Sequence, residues 1–144
     1  MAVDIGVALE THLATMPTFT TLIGNRVFPG NLPQGVGLPA LVYHVIDSPG
    51  EEDLQGPAGL AQSRLQLDVI ADEQTDANAV IDLLRRKPPN GLVGLRGLMG
   101  GLFVSGISTA GGRRTEGGDA PIEGSDTWRY VASQDFIISH KEDI

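Results

Sequence analysis

Between Leu38 and Leu84 the spacing of apolar residues changes twice, from a solid run to strict alternation to a helical stripe. Leu38-Pro39-Ala40-Leu41-Val42-Tyr43-His44-Val45-Ile46 is apolar and β-branched, begins beside Pro39 and is stopped by Asp47-Ser48-Pro49-Gly50, which predicts a strand. In Ser63-Arg64-Leu65-Gln66-Leu67-Asp68-Val69, Leu65, Leu67 and Val69 alternate with Arg64, Gln66 and Asp68, the pattern of a strand between a core and water. After Asp72-Glu73-Gln74, Thr75 is placed to cap a helix in which Ala77, Val80, Ile81 and Leu84 form an i, i+3, i+4, i+7 stripe. Arg85-Arg86-Lys87 then sits at the negative end of the helix dipole, before Pro88-Pro89.

The flanks extend the same alphabet. Asp4 is a candidate N-cap for a first helix with Ile5, Leu9, His12 or Leu13, and Met16 on one face, although Gly6 weakens it by about 1 kcal/mol relative to Ala. Residues Thr18 to Leu22 extend that helix or add a turn, and Gly24-Asn25 marks a break. Leu102 to Ile107 and Thr127 to Ile138 predict a third and a fourth strand. In the last, Trp128, Tyr130, Ala132, Phe136 and Ile138 share one parity and mark the core side. Gln134 breaks that apolar set, and a bulge near it would account for the mismatch. Ala110 to Asp126, with Gly111-Gly112, Arg113-Arg114, Gly117-Gly118 and Pro121, reads as a long polar loop.

The predicted fold is α+β, with about four strands in a mainly antiparallel sheet, two helices packed on one face, and long Gly-rich loops. The first strand is apolar on both sides, since Val42 and Ile46 alternate with Leu41, Tyr43 and Val45, so its second side calls for another subunit or a segment of its own chain.

Composition narrows the class. A chain of 144 residues fits one domain, here 1–144, and buries roughly two-thirds of its unfolded surface. A hydrophobic fraction of 41% is too high for a disordered chain, while 19 Gly and 9 Pro imply long loops that carry function. The net charge of -8 argues against attraction to phosphate backbones. It suits either a conduit through which DNA slides without sticking or simple solubility. With no Cys, disulfides and thiolate metal sites are excluded. Met1-Ala2-Val3-Asp4 lacks a basic leader and no apolar run reaches the roughly 18 residues of a membrane span, so neither secretion nor insertion is expected.

Candidate chemistry is sparse. His12, His44 and His140 fall on a helix, a strand and the C-terminal tail without zinc-helix spacing. Glu51-Glu52-Asp53 lacks the alternating ligands and distal Glu of a calcium loop. Gly97-Leu98-Met99-Gly100-Gly101 precedes a strand instead of opening a helix, which removes the context a phosphate loop needs. Ser105 and Ser108 lack a nucleophile elbow. No catalytic, cofactor or metal residues are assigned, and an enzyme is not expected.

The layout of the whole chain resembles a family, the small tail-completion or tail-terminator proteins of long-tailed bacteriophages and gene transfer agents. Arg26-Val27-Phe28-Pro29, then Leu32-Pro33-Gln34-Gly35 and Leu38-Pro39, resembles the family's approach to its first strand. Gly56-Pro57-Ala58-Gly59-Leu60-Ala61 running into Ser63 to Asp68 resembles its loop and second strand, and Gly94-Leu95-Arg96-Gly97 before Gly101-Leu102-Phe103-Val104 its third-strand approach. The resemblance implies a structural virion protein, assembled in the bacterial cytoplasm, that forms a ring, usually of six, on the head-proximal end of the tail tube. That ring would end tail polymerisation and join the tail to the head. Implied partners are its own copies, the tube protein and a head-neck adaptor or stopper protein, with DNA only passing through the lumen and no membrane contact. Another neck or tail-tube component and a monomeric ligand-binding α+β domain are the alternatives. Charge complementarity singles out Glu51, Glu52, Asp53 and Leu54 in the first long loop, and Arg113, Arg114, Glu116 and Asp119 in the second, as contacts to neighbouring subunits or to the tube.

Overall fold

The computed structural model describes residues 4–33, 35–47, 60–88, 91–121 and 128–141. The element order is α1 (Ile5–Leu13), α2 (Pro17–Ile23), β1 (Val27–Pro29), β2 (Ala40–Asp47), β3 (Leu60–Ala71), α3 (Gln74–Leu84), β4 (Gly97–Met99), β5 (Leu102–Pro121) and β6 (Trp128–Lys141). The expected α+β class holds, with three helices and a mixed six-stranded sheet among the described residues, ordered β1-β2-β3-β6-β5-β4. The four anticipated strands are β2, β3, β5 and β6, which pair antiparallel in the spatial order β2-β3-β6-β5. Two three-residue strands complete the edges: β1 pairs parallel to β2, and β4 antiparallel to β5. Each is too short to carry an alternation legible in sequence, and a short edge strand offers little template for unwanted pairing.

Asp4 caps α1 as anticipated, its side chain accepting hydrogen bonds from the backbone N–H groups of Gly6 and Val7. Ile5, Leu9, Leu13 and Met16 are buried, whereas His12 is half-buried. Gly6 has a reason to be there: a Cβ would come within 2.8 Å of the Tyr43 ring, which closes over α1 and donates its hydroxyl to Glu10 at 2.9 Å. After Leu13 the chain turns and Pro17 opens α2 as a separate helix. In α3 the anticipated stripe is buried, but the helix starts earlier than expected, at Gln74, with Glu73 at the N-cap and no side-chain cap bond. Thr75 is therefore within the helix and not its cap.

Helix α3 lies over β3, β5 and β6, and α1 over β2 and β4. All three helices share one cluster with Leu65, Leu67, Val69, Ala132, Phe136 and Ile138, which matches the predicted core parity of β3 and, for these three residues, of β6; Tyr130 is half-buried and the Trp128 side chain lies outside the described set.

The largest correction concerns Ala110 to Asp126. Residues 110–121 continue β5 along β6, so the segment expected to be a loop is mostly strand, and only 122–127 lie outside the described residues. Two bulges hid it: the register shifts between Ala110 and Arg114 and again between Gly117 and Pro121, which breaks the period-2 pattern. The bulge expected near Gln134 exists, but in β5 opposite it, while β6 runs against β3 in unbroken register. Gln134 reaches into that bulge, its Nε2 donating to the carbonyls of Ala110 at 3.2 Å and Gly111 at 3.1 Å. Its Oε1 is buried and has no hydrogen-bond partner among the described residues.

Candidate functional site

The described helices pack on one side of the sheet, and the other side carries a set of polar side chains. Strand alternation puts His44, Arg64, Gln66, Asp68, Ser133 and Asp135 there, together with Arg114 of β5. The register aligns His44, Gln66 and Asp135 in one row across β2, β3 and β6, and Asp68, Ser133 and Arg114 in the next.

At its centre Asp135 is buried between two arginines. Arg64 donates to its Oδ2 from Nε at 3.0 Å and from a terminal nitrogen at 2.6 Å, and Arg114 donates to its Oδ1 at 2.8 Å. Burial alone would raise the Asp135 pKa; the hydrogen bonds and charges of Arg114 and Arg64 outweigh it and hold the carboxyl below its ordinary value. The two arginine side chains stay 45% and 46% exposed, so one carboxylate fixes two guanidiniums that still face solvent. Beside them Gln66 donates to both oxygens of Asp68, at 2.9 and 3.1 Å, and His44 lies 3.3 Å from Asp68.

Apolar side chains are also exposed, on β2, β4 and β5. Leu98 and Phe103 stand directly opposite each other across β4 and β5 and are 73% and 40% exposed. Ile46, at the β2 bulge, is 53% exposed, whereas Val42 on the same strand is buried. The first strand is thus apolar on both sides, as anticipated, and leaves part of its second side wet.

Of the contact residues expected from sequence, Arg114 lies in this network. Arg113, Glu116 and Asp119 fall on β5 instead of in a loop, with side chains outside the described set, and Glu51, Glu52, Asp53 and Leu54 lie outside the described residues. Asp135 and Arg64 were not singled out: they are 71 positions apart, and only the β3–β6 register brings them together. On the helix side, Ser63 and His140 form a buried pair at 2.8 Å that ties β3 to β6. Among the described residues no group of three or more His, Asp or Glu side chains is placed to hold a metal, and no helix is long and apolar enough to cross a membrane.

A surface that presents fixed charges and exposed apolar side chains is suited to protein contact. The model of the tail completion protein gp17 family matches residues 7–87, more than half of the chain, and this chain belongs to that family. A solved structure with a similar fold is a chain in the virion of a native gene transfer agent particle, 16% identical, with a TM-score of 0.54 over 94% of each chain. No curated individual protein matches the sequence.

Proposed function

We propose that this chain acts as one domain that assembles into a ring, of six subunits, on the head-proximal end of a tail tube. The ring ends tube polymerisation and offers its far side to the neck proteins of the head. Membership of the tail completion family over residues 7–87 is the observation that carries this role. The likeness in fold to a virion chain supports it, as does the open sheet face with its fixed arginines and exposed Leu98 and Phe103.

In this role the protein is structural and not catalytic, works in the virion after assembly in the host cytoplasm, and contacts its own copies, the tube protein and a head-neck adaptor. Glu51, Glu52, Asp53, Leu54, Arg113, Arg114, Glu116 and Asp119 are the proposed contact residues, and the net charge of -8 lets DNA pass without adhering. Deleting the gene tests the role: particles should show heads without tails, with free tails of irregular length. Normal particles from the deletion strain would remove the chain from tail completion.

A further inference from the structure

The charges at the two ends of α3 are opposite in sign. Asp72, Glu73 and Asp76 are exposed at its start, and Arg85, Arg86 and Lys87 are exposed just past its end. The helix has 11 residues, so at about 1.5 Å per residue the two groups lie roughly 16 Å apart. Arg96 joins the basic group, because Lys87 and Arg96 line one surface depression with Val93 and Leu95 at its floor. Two of the chain's 10 lysines and arginines therefore share one depression, with exposed Arg85 and Arg86 preceding Lys87 in the chain, on a protein of net charge -8. Even with Asp82 one turn before Arg86 counted against them, positive charge is in local surplus.

Basic residues after a helix commonly serve its unpaired carbonyls, but here the backbone does that. The segment after α3 folds back so that Gly91, Leu92 and Val93 donate their N–H groups to the carbonyls of Lys87, Leu84 and Arg86, at 3.1, 2.9 and 3.1 Å. Gly91 is needed for so close an approach, since a Cβ would lie 2.2 Å from the Arg86 carbonyl oxygen. The four cations make no ion pair among the described residues, nor do Asp72, Glu73 and Asp76. Both groups are exposed and unpaired among the described residues.

We infer that subunits meet head to tail through these two ends: the Lys87–Arg96 depression of one copy receives Asp72, Glu73 and Asp76 of the next. This rests on the ring proposed above and names the surfaces that close it. A contact between two different patches of one subunit is the kind that generates rings. Subunits that each carry -8 repel at long range, so a local attraction of this sort is what steers them into one register.

Charge exchange tests the pairing. Lys87→Glu with Arg96→Glu, and separately Asp72→Lys with Asp76→Lys, alter exposed side chains, and circular dichroism verifies that each variant is folded. Each pair should raise the concentration needed for ring formation by on the order of tenfold or more, read by native mass spectrometry or light scattering. All four changes in one chain should restore the rings. Salt should dissociate wild-type rings as the Debye length falls from about 10 Å at 0.1 M to about 3 Å at 1 M. Because the chain has no Cys, mixing an Asp72→Cys copy with an Arg96→Cys copy gives a second test that needs no charge reversal: oxidation should give the mixed disulfide dimer. Rings that survive both exchanges, a combined variant that fails to restore them, or absence of the mixed dimer would overturn the contact and leave the ring standing. A wild type that stays monomeric at every concentration and on added tail tubes would overturn both.

Discussion

Asp135→Asn is the sharpest probe of the open sheet face, because it keeps the volume and removes only the charge that holds two arginines. The carboxylate accepts three hydrogen bonds from guanidinium groups. Bonds of this type contribute about 1.5–3 kcal/mol each, and breaking a fully buried pair costs about 3–5 kcal/mol. Two facts reduce that here: the arginine side chains are 45% and 46% exposed and regain water when released, and the Asn carbonyl still accepts one bond. A net loss of about 2–3 kcal/mol follows, which lowers the melting temperature of a chain of this size by about 5–10 °C. The folded-state pKa of Asp135 is depressed, so its contribution is complete above the ordinary value of 3.8 and is lost as pH falls through the lower folded value. Urea unfolding at fixed chain concentration should therefore show a constant gap between wild type and variant from neutral pH down to the carboxylate range, closing below it. A gap under about 0.5 kcal/mol at neutral pH, or one that persists unchanged in strong acid, would refute the role given to the triad.

The alkaline side should report Tyr43, whose pKa is pushed up to about 12 by burial and by its bond to Glu10. Stability from this phenol is complete below its unfolded value of 10.0 and is lost as pH rises toward 12, so Tyr43→Phe should flatten that limb in a pH series of unfolding curves. Leu67→Asp puts an unpaired charge on a fully buried position and should prevent soluble folding, measured as recovery in the soluble fraction. Gln66→Asp should cost more than the roughly 0.5 kcal/mol typical of a surface change, because Gln66 is half-buried and holds Asp68. Ile81→Pro inside α3 should cost about 3 kcal/mol or more in denaturant unfolding, and Gly91→Ala about 1–3 kcal/mol through its collision with the Arg86 carbonyl.

The parts of the fold legible in sequence are those where one period runs undisturbed. Alternation through Leu65, Leu67 and Val69, the stripe through Ala77, Val80, Ile81 and Leu84, and the Asp4 cap are local patterns, and each has the predicted burial or bonding. Residues 110–121 were misread because Gly, Arg and Thr at bulged positions carry no alternation; their strand conformation is imposed by pairing with β6. For the same reason, trimming Gly112 to Gly118, which a loop would tolerate, removes part of β5 and the Arg114 ligand of Asp135 and should unfold the sheet edge. Gln134 was recognisable as an anomaly on a core face, but the carbonyls that satisfy it lie 23 and 24 positions away, in a bulge that only the folded register creates. The site was least legible of all. Arg114 was singled out for its charge, while the carboxylate that orients it sits on another strand, and the Lys87–Arg96 depression depends on a backbone fold-back that Gly91 permits.

The central claim is positional, and an electron-microscopy map of whole particles tests it most directly. The fold should fit density as a closed ring at the junction of tail tube and neck, one layer deep, with the two ends of α3 facing each other between neighbouring subunits. Density for this chain repeated along the tube, or placed at the far tip of the tail, would contradict it.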